Sequence, residues 1–117
     1  MSRIALLSAA APKPVSAYSQ AIQNGSLLFL SGQIPLDPAT GQLVSGSIAE
    51  ETDRIIENLR AVLSAAGATL GNVLKTTVYL TNTADFAAFN AAYARHFTIE
   101  PPARTTVVVA ALPLGAA

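Results

Sequence analysis

The chain has no cysteine and a single histidine, His96, so several kinds of site are excluded before any motif is considered. Without thiols it can form neither a disulfide framework nor a zinc knuckle, and it has no cysteine nucleophile. One histidine cannot build a multi-histidine metal site, and we expect neither a metal centre nor another cofactor. The lack of disulfides is compatible with the cytoplasm, which is the location we expect.

Charge is also scarce, because seven Lys and Arg balance seven Asp and Glu and charged residues make up only 12 % of the 117 residues. A neutral chain without a basic stripe does not fit a binder of phosphate backbones, so we expect no nucleic-acid partner. No apolar run approaches the roughly 18–20 residues of a membrane helix, so no membrane association is expected. The apolar fraction of 51 % predicts that other copies of the chain cover part of the surface.

The N-terminal residues allow two interpretations. Residues 3–11 begin with Arg3 and continue as a short apolar run, a pattern faintly similar to a signal peptide. Pro12 and Pro14 follow at once, which favours a short strand and a loop instead.

Turn and cap residues divide the rest into alternating strands and helices. Asn24-Gly25, the favoured type I′ pair, predicts a tight hairpin between residues 18–23 and 26–31. Ser47 with Glu50 forms a capping box, and an apolar stripe runs from Ile48 to Ala66, so a helix is expected to end near Gly67. Further elements are predicted as a strand at 73–80, a helix capped at Asn82 or Thr83 with a stripe through Phe86, Phe89, Tyr93 and Phe97, and a strand at 105–111.

This order, a strand, a hairpin and two helix–strand repeats, indicates one α+β domain over residues 1–117. Two strand–helix–strand units imply a mixed sheet with both helices on one face. The other face would then be bare and apolar to mixed, which independently favours an oligomer.

Arg104 is the most informative candidate for a functional residue. It follows Pro101-Pro102 and opens a strand that carries no other charge. A guanidinium presents a rigid fork of donors that matches a carboxylate or a phosphate. Position alone leaves two interpretations open, a residue that grips an anionic small molecule and a surface arginine at the start of a strand.

Several segments, in order along nearly the whole chain, resemble the Rid family (YjgF, imine deaminases, also known as L-PSP endoribonucleases). These segments are Tyr18-Ser19-Gln20-Ala21, Leu30-Ser31-Gly32-Gln33-Ile34-Pro35, Asn58-Leu59, Lys75-Thr76-Thr77-Val78-Tyr79-Leu80, Phe86 with Asn90 and Tyr93, and Pro102-Ala103-Arg104. The resemblance implies a chorismate-mutase-like subunit and a barrel-centred homotrimer. In that assembly the sheets face inward, the helices face outward and the active sites lie between subunits.

The resemblance also implies a reaction. Water adds to a 2-imino acid, or to its enamine tautomer, and gives a 2-keto acid and ammonia. Such imines, for example 2-iminopropanoate and 2-iminobutanoate, are released by pyridoxal-phosphate enzymes, which provides a functional link to those enzymes.

The same resemblance implies roles for six residues of this chain. Arg104 would clamp the substrate carboxylate, and Tyr18 would supply a wall and a hydroxyl. The backbone at Gly32 would approach the substrate closely. Ser31 and Thr106 would hold water or substrate, and Asn90 would brace the Arg104 loop.

Two departures from the family pattern qualify these expectations. Ser16-Ala17 stands where the family usually has Gly-Pro. The sequence also stops after Leu112-Pro113-Leu114-Gly115-Ala116-Ala117, where the family continues into a final strand that carries a glutamate that positions the attacking water. We expect strands 27–30 and 73–80 to lose a shared neighbour. Truncation is the favoured explanation, ahead of a true short variant or a replaced tail.

Two other functions remain open. The first is a non-catalytic trimeric module that binds small carboxylate metabolites, because the expected glutamate is missing. The second is an endoribonuclease or translation inhibitor, which the neutral charge and the single histidine argue against.

Overall fold

The computed structural model, which describes residues 2–117, places two helices against two small β-sheets. The predicted order of strands and helices is confirmed. The strands and helices are β1 (Arg3–Leu6), β2 (Ala21–Asn24), β3 (Leu27–Leu30), α1 (Ile48–Ala65), β4 (Lys75–Leu80), α2 (Phe86–His96) and β5 (Ala103–Val108). Short 3-10 turns at Leu70–Asn72, Thr83–Asp85 and Pro113–Gly115 complete the chain.

The strands form two sheets, so the prediction of one mixed sheet is wrong. β1, β2 and β3 pair antiparallel in that order, whereas β4 and β5 form a separate parallel pair. β3 and β4 do not pair with each other anywhere in residues 2–117. These are the two strands that were expected to lack a shared neighbour, and without a strand between them their hydrogen-bonding edges are not joined.

The hairpin forms, but its turn lies one residue later than predicted. Asn24 pairs with Leu27 as the last rung of the β2–β3 ladder, so the turn residues are Gly25 and Ser26. Gly25 has a φ of 60°, whereas Asn24 and Ser26 do not have positive φ. Glycine at the first of two turn positions is typical of a type II′ turn rather than the predicted type I′.

Helix α1 begins and ends where the sequence predicts. The Ser47 hydroxyl oxygen accepts a hydrogen bond from the Glu50 backbone N–H at 3.2 Å. At the other end the Gly67 and Ala68 N–H groups donate to the Ser64 and Leu63 carbonyls, which is a Schellman motif. Gly67 has the positive φ of 73° that this motif requires and that glycine adopts without strain.

The main core lies between the helices and the inner faces of both sheets. Its buried members come from α1, α2 and β4 and from the segments that flank α2 and β4; they are Ile56, Leu63, Leu70, Leu80, Phe89, Tyr93 and Phe97. Leu28 and Leu30 of β3 and Val78 of β4 pack against them. Both sheets therefore bury one face under the same two helices, as predicted, although their strands are not paired. No helix in residues 2–117 is long and apolar enough to cross a membrane.

The sheet faces that point away from the helices carry exposed apolar side chains. Side chains alternate along a strand, so Leu27 and Phe29 lie opposite Leu28 and Leu30. Phe29 is 66 % exposed, and Tyr79 and Val107 are exposed on the corresponding side of the β4–β5 pair. We refer to Leu27, Phe29, Tyr79 and Val107 as the open apolar face. It matches the bare sheet face that the sequence predicts.

A cross-helix cluster gives the fold an expected sensitivity to acid. Asp53 of α1 accepts hydrogen bonds from Arg95 at 3.0 Å and lies 2.7 Å from His96 Nε2, both on α2. The His96 hydrogen bond and the Arg95 charge hold the pKa of Asp53 below its ordinary value of 3.8. A lowered folded-state pKa stabilises the fold fully above the unfolded-state pKa, and this contribution is lost as pH falls through the folded-state value.

We therefore expect Asp53→Asn to lose less stability than the parent chain when urea unfolding is compared at pH 6 and pH 3. The difference will be small, because the carboxylate is 42 % exposed and solvent screens it. Glu57→Gln, which removes an exposed ion pair with Arg60 on the same helix, is the control. Equal pH dependence in the parent chain and in Asp53→Asn would show that Asp53 does not contribute to the loss of stability in acid.

Candidate functional site

Arg104 is the second residue of β5 and lies directly opposite Thr76 of β4 in the parallel register. Pro101-Pro102 precede the strand, and α2 ends at His96, so the chain turns sharply before Arg104. Its side chain is directed to the helix side of the β4–β5 pair, where it meets α2. Arg104 therefore lies at the start of a strand, as the sequence predicts.

Three side chains of α2 hold the guanidinium. Nη2 of Arg104 donates to Oδ1 of Asn90 at 2.7 Å. Cζ lies 5.3 Å from the centroid of the Phe89 ring and 4.9 Å from that of Tyr93, both within the range of a cation–π contact. All four residues therefore lie on two elements, α2 and β5. Asn90 is therefore in direct contact with Arg104.

The α2 contacts are themselves anchored in the core. The hydroxyl groups of Tyr93 and Thr76 form a hydrogen bond of 2.8 Å, and Tyr93 and Phe89 are 8 % and 6 % exposed. Their ring centroids lie 5.4 Å apart. Arg104 also lines a cleft of about 250 Å³ together with Asn90 and Pro102. The exposed guanidinium of Arg104 therefore packs on two buried aromatic rings.

Thr106 lies two residues along β5 from Arg104 and so faces the same side of the strand. Its Oγ1 atom is buried and is without a hydrogen-bond partner among residues 2–117. A buried hydroxyl without a partner costs on the order of 1–3 kcal/mol, so this group favours a water or ligand atom beside it.

Tyr18 and Ser31 lie together at a second and larger cleft. This cleft has a volume of about 530 Å³ and is also lined by Arg3, Ile22 and Phe29. The Tyr18 side chain is 48 % exposed, so its ring and hydroxyl are available to a ligand. Ser31 Oγ donates to the Ser19 carbonyl at 2.6 Å, which leaves its lone pairs free to accept a hydrogen bond.

Gly32 follows Ser31 and is exposed. A Cβ placed on it would have no atom of the chain within 4 Å, apart from its immediate neighbours. The space in front of its backbone is therefore open to a ligand or to a second molecule.

The predicted site residues thus fall into two groups that one chain does not bring together. Arg104 and Asn90 line the smaller cleft, Tyr18 and Ser31 line the larger one, and no residue lines both. Gly32 and Thr106 line neither. Neither cleft is lined by an Asp or a Glu of residues 2–117. Within the same residues, no three His, Asp or Glu side chains lie close enough together to hold a metal ion.

Gln20 is bonded through its backbone to Ser31 of the larger cleft and was not predicted as a site residue. Its side chain is 1 % exposed, accepts from the Ser8 N–H at 2.6 Å and donates to the carbonyls of Ser8 and Pro12 at 3.2 and 2.9 Å. Its backbone carbonyl accepts from the Ser31 N–H at 3.0 Å. The only signal in the sequence was its place in the Tyr18–Ala21 motif, because a buried glutamine and an exposed one look alike in sequence.

Comparison with known proteins gives a consistent result. The family described as Endoribonuclease L-PSP matches residues 8–117. Protein DfrA of Myxococcus xanthus is 50 % identical over 117 residues, which cover 98 % of this chain and 89 % of that protein. Reactive Intermediate Deaminase A, chloroplastic, of Arabidopsis thaliana is 45 % identical over 91 % of this chain and 57 % of its own length.

Solved structures agree with these sequence matches. A Yersinia pestis protein of unknown function from the conserved Rid family superposes with a TM-score of 0.95 at 40 % identity, covering 98 % of this chain and 92 % of that one. The YjgF gene product of E. coli gives 0.92 at 34 % identity, with coverage of 97 % and 91 %.

Proposed function

Because this chain belongs to the L-PSP endoribonuclease family, which includes the Rid (YjgF) proteins, we propose that it hydrolyses reactive 2-imino acids and their enamine tautomers to 2-keto acids and ammonia. Substrates of the size of 2-iminopropanoate and 2-iminobutanoate fit the proposal. The Arabidopsis relative whose name contains deaminase supports this choice within the family. The substrates would come from pyridoxal-phosphate enzymes in the cytoplasm.

The contacts that hold the Arg104 guanidinium against α2 are the observation that best supports the proposal. A 2-imino acid has a planar carboxylate next to the reacting carbon, and a guanidinium binds such a group through two parallel N–H donors. Asn90 occupies one of the five donors of Arg104, so a bidentate edge remains available. Fixing the carboxylate also fixes the adjacent C=N bond, and orientation of this kind lowers the barrier to attack.

The reaction needs little further help, because the imine carbon is already electrophilic. Water oxygen forms a bond to C2 while the C=N π electrons move to nitrogen, which takes up a proton. The proton taken up by nitrogen is one that the attacking water releases. In the resulting carbinolamine the hydroxyl proton is transferred to the amino group, the C–N bond breaks with loss of ammonia, and the C2 carbonyl of the keto acid forms. Tyr18 and Ser31 supply hydroxyl groups that can hold the water or the nitrogen.

The proposal includes assembly of the site between copies of the chain. Arg104 and Tyr18 line different clefts, and the side chains of the open apolar face are exposed in the single chain. A homotrimer that covers this face could bring the larger cleft of one subunit to the smaller cleft of another. Sedimentation at several protein concentrations, with Phe29→Glu as the variant expected to dissociate, tests this part.

A metabolite-binding module is the second candidate function. The lack of Asp and Glu in the lining of both clefts favours it, because no carboxylate there can act as a general base for water. Such a module would bind 2-keto acids through Arg104 without accelerating imine hydrolysis.

A coupled assay separates the two functions. A pyridoxal-phosphate threonine dehydratase generates the imine, and 2-oxobutanoate formation is followed with and without this protein. Faster keto-acid and ammonia release supports the deaminase. Binding of 2-oxobutanoate by a folded protein that gives no acceleration supports the module and rejects the deaminase.

Gly32→Ala should lower activity without affecting the fold. The added methyl group meets no atom of the chain, so we expect the free energy of unfolding to change by less than about 0.5 kcal/mol. If ligand occupies the open space at Gly32, kcat/KM should fall about tenfold, since a 1 Å misplacement can cost up to about 100-fold. Gly71→Ala, whose Cβ would make an ordinary 3.5 Å contact with Thr69 Oγ1, is the control. Full activity in Gly32→Ala would remove Gly32 from the site.

A further inference from the structure

Tyr93 connects Arg104 to the core through two different parts of its side chain. The ring lies 4.9 Å from Cζ of Arg104, and the hydroxyl is 2.8 Å from Oγ1 of Thr76. Thr76 is also the residue paired with Arg104 across the β4–β5 ladder. Tyr93, Thr76 and Arg104 therefore form a closed triangle of one hydrogen bond, one strand pairing and one cation–π contact.

The geometry of a guanidinium explains why a ring contact is useful here. All five N–H donors of Arg104 lie in the guanidinium plane and point outward from its edge, whereas a ring that packs on the face of the ion uses none of them. Asn90 takes one donor, but the rings of Tyr93 and Phe89 take none. The aromatic side chains can thus fix the plane of the fork while the remaining donors stay free for a ligand.

We propose that Tyr93, held in place by Thr76, is a positioning residue that sets the plane in which Arg104 receives a carboxylate. The inference deepens the proposed function and rests on Arg104 as the carboxylate-binding residue. Tyr93 lines the smaller cleft with Arg104 but is only 8 % exposed, so in this proposal it acts through the guanidinium that its ring contacts. Its hydroxyl controls the orientation of the ring, and the ring controls the orientation of Arg104.

The test measures binding of 2-oxobutanoate by calorimetry, together with kcat and KM for the imine. Tyr93→Leu, which removes both contacts, should raise the dissociation constant and KM about tenfold. Tyr93→Phe and Thr76→Val each remove only the hydroxyl bond and should each raise them about threefold. The double variant of Tyr93→Phe and Thr76→Val should be no worse than either single variant, because both remove the same bond.

The control is Ile56→Val, which perturbs the same core but lines neither cleft. It should lower stability and leave the dissociation constant unchanged. A second readout is the ¹⁵N relaxation of the Arg104 side chain in the ligand-free protein. We expect restricted motion in the parent chain and in Ile56→Val, and increased motion in Tyr93→Leu.

The relaxation readout also separates failure of the inference from failure of the proposed function. If the parent chain neither deaminates nor binds 2-oxobutanoate but Arg104 loosens in Tyr93→Leu, the function is wrong and positioning by Tyr93 stands. If Arg104 is equally ordered in all variants, or if Tyr93→Phe and Thr76→Val bind 2-oxobutanoate like the parent chain, the inference is overturned.

Discussion

Arg104→Ala should lower kcat/KM for imine hydrolysis by at least about 100-fold. Two charge-assisted hydrogen bonds to a carboxylate are lost together, each contributing roughly 1.5–3 kcal/mol, and the C=N bond is no longer held in place. Arg104→Lys keeps the charge but not the fork or the stacking face, so we expect a loss of more than about tenfold. The exposed position of Arg104 means that both variants should fold.

Arg60→Ala is the matched control for these variants. Arg60 is an exposed arginine of α1 whose ion pair with Glu57 has side chains that are 48 % and 47 % exposed. Its removal should change neither kcat/KM nor stability measurably. Activity of Arg104→Ala within a few fold of the parent chain would exclude Arg104 as the carboxylate-binding residue, and with it the proposed reaction mechanism.

Among the substitutions proposed here, Gln20→Ala should lower the free energy of unfolding most. Three side-chain hydrogen bonds disappear, and the carbonyls of Ser8 and Pro12 lose a buried donor. At about 1 kcal/mol for each bond, the free energy of unfolding should fall by about 3 kcal/mol. For a domain of this size such a loss lowers Tm by on the order of 10 °C.

The measurement is urea unfolding at one fixed protein concentration, because association would otherwise shift the midpoint. Gln23→Ala is the control, since its amide makes one exposed 3.3 Å bond to the Gly25 carbonyl. We expect a change within about 0.5 kcal/mol for Gln23→Ala. Equal effects of the two substitutions would show that residues 8–12 are not held by Gln20.

The order of elements could be predicted because local chemistry determines it. Ser47 and Gly67 mark the ends of α1, and the spacing of Phe89, Tyr93 and Phe97 places one face of α2 in the core. The hairpin turn was misplaced by one residue, because Asn24 can serve either as a turn residue or as the last rung of a ladder. Strand pairing across the molecule depends on contacts between distant segments, so the division into two sheets was not predicted.

The site was partly predictable for a similar reason. Arg104 stood out because the strand around it carries no other charge, and Asn90 came with the family resemblance. Asn58 is 0 % exposed and donates to the Leu36 carbonyl at 2.9 Å, and only the Asn58-Leu59 segment of the family resemblance distinguished it from the other polar residues of α1. Likewise, nothing in the spacing of Thr76 and Tyr93 indicates that their hydroxyl groups meet.

The Arg104 assembly has a consequence for how the family can diversify. The three side chains that contact the guanidinium, Phe89, Asn90 and Tyr93, lie in the continuous segment from β4 to β5, as does Thr76, which is hydrogen-bonded to Tyr93. The Tyr18 cleft is built from other parts of the chain. Recombination can therefore exchange the proposed carboxylate-binding segment as one block, without changing the residues around Tyr18.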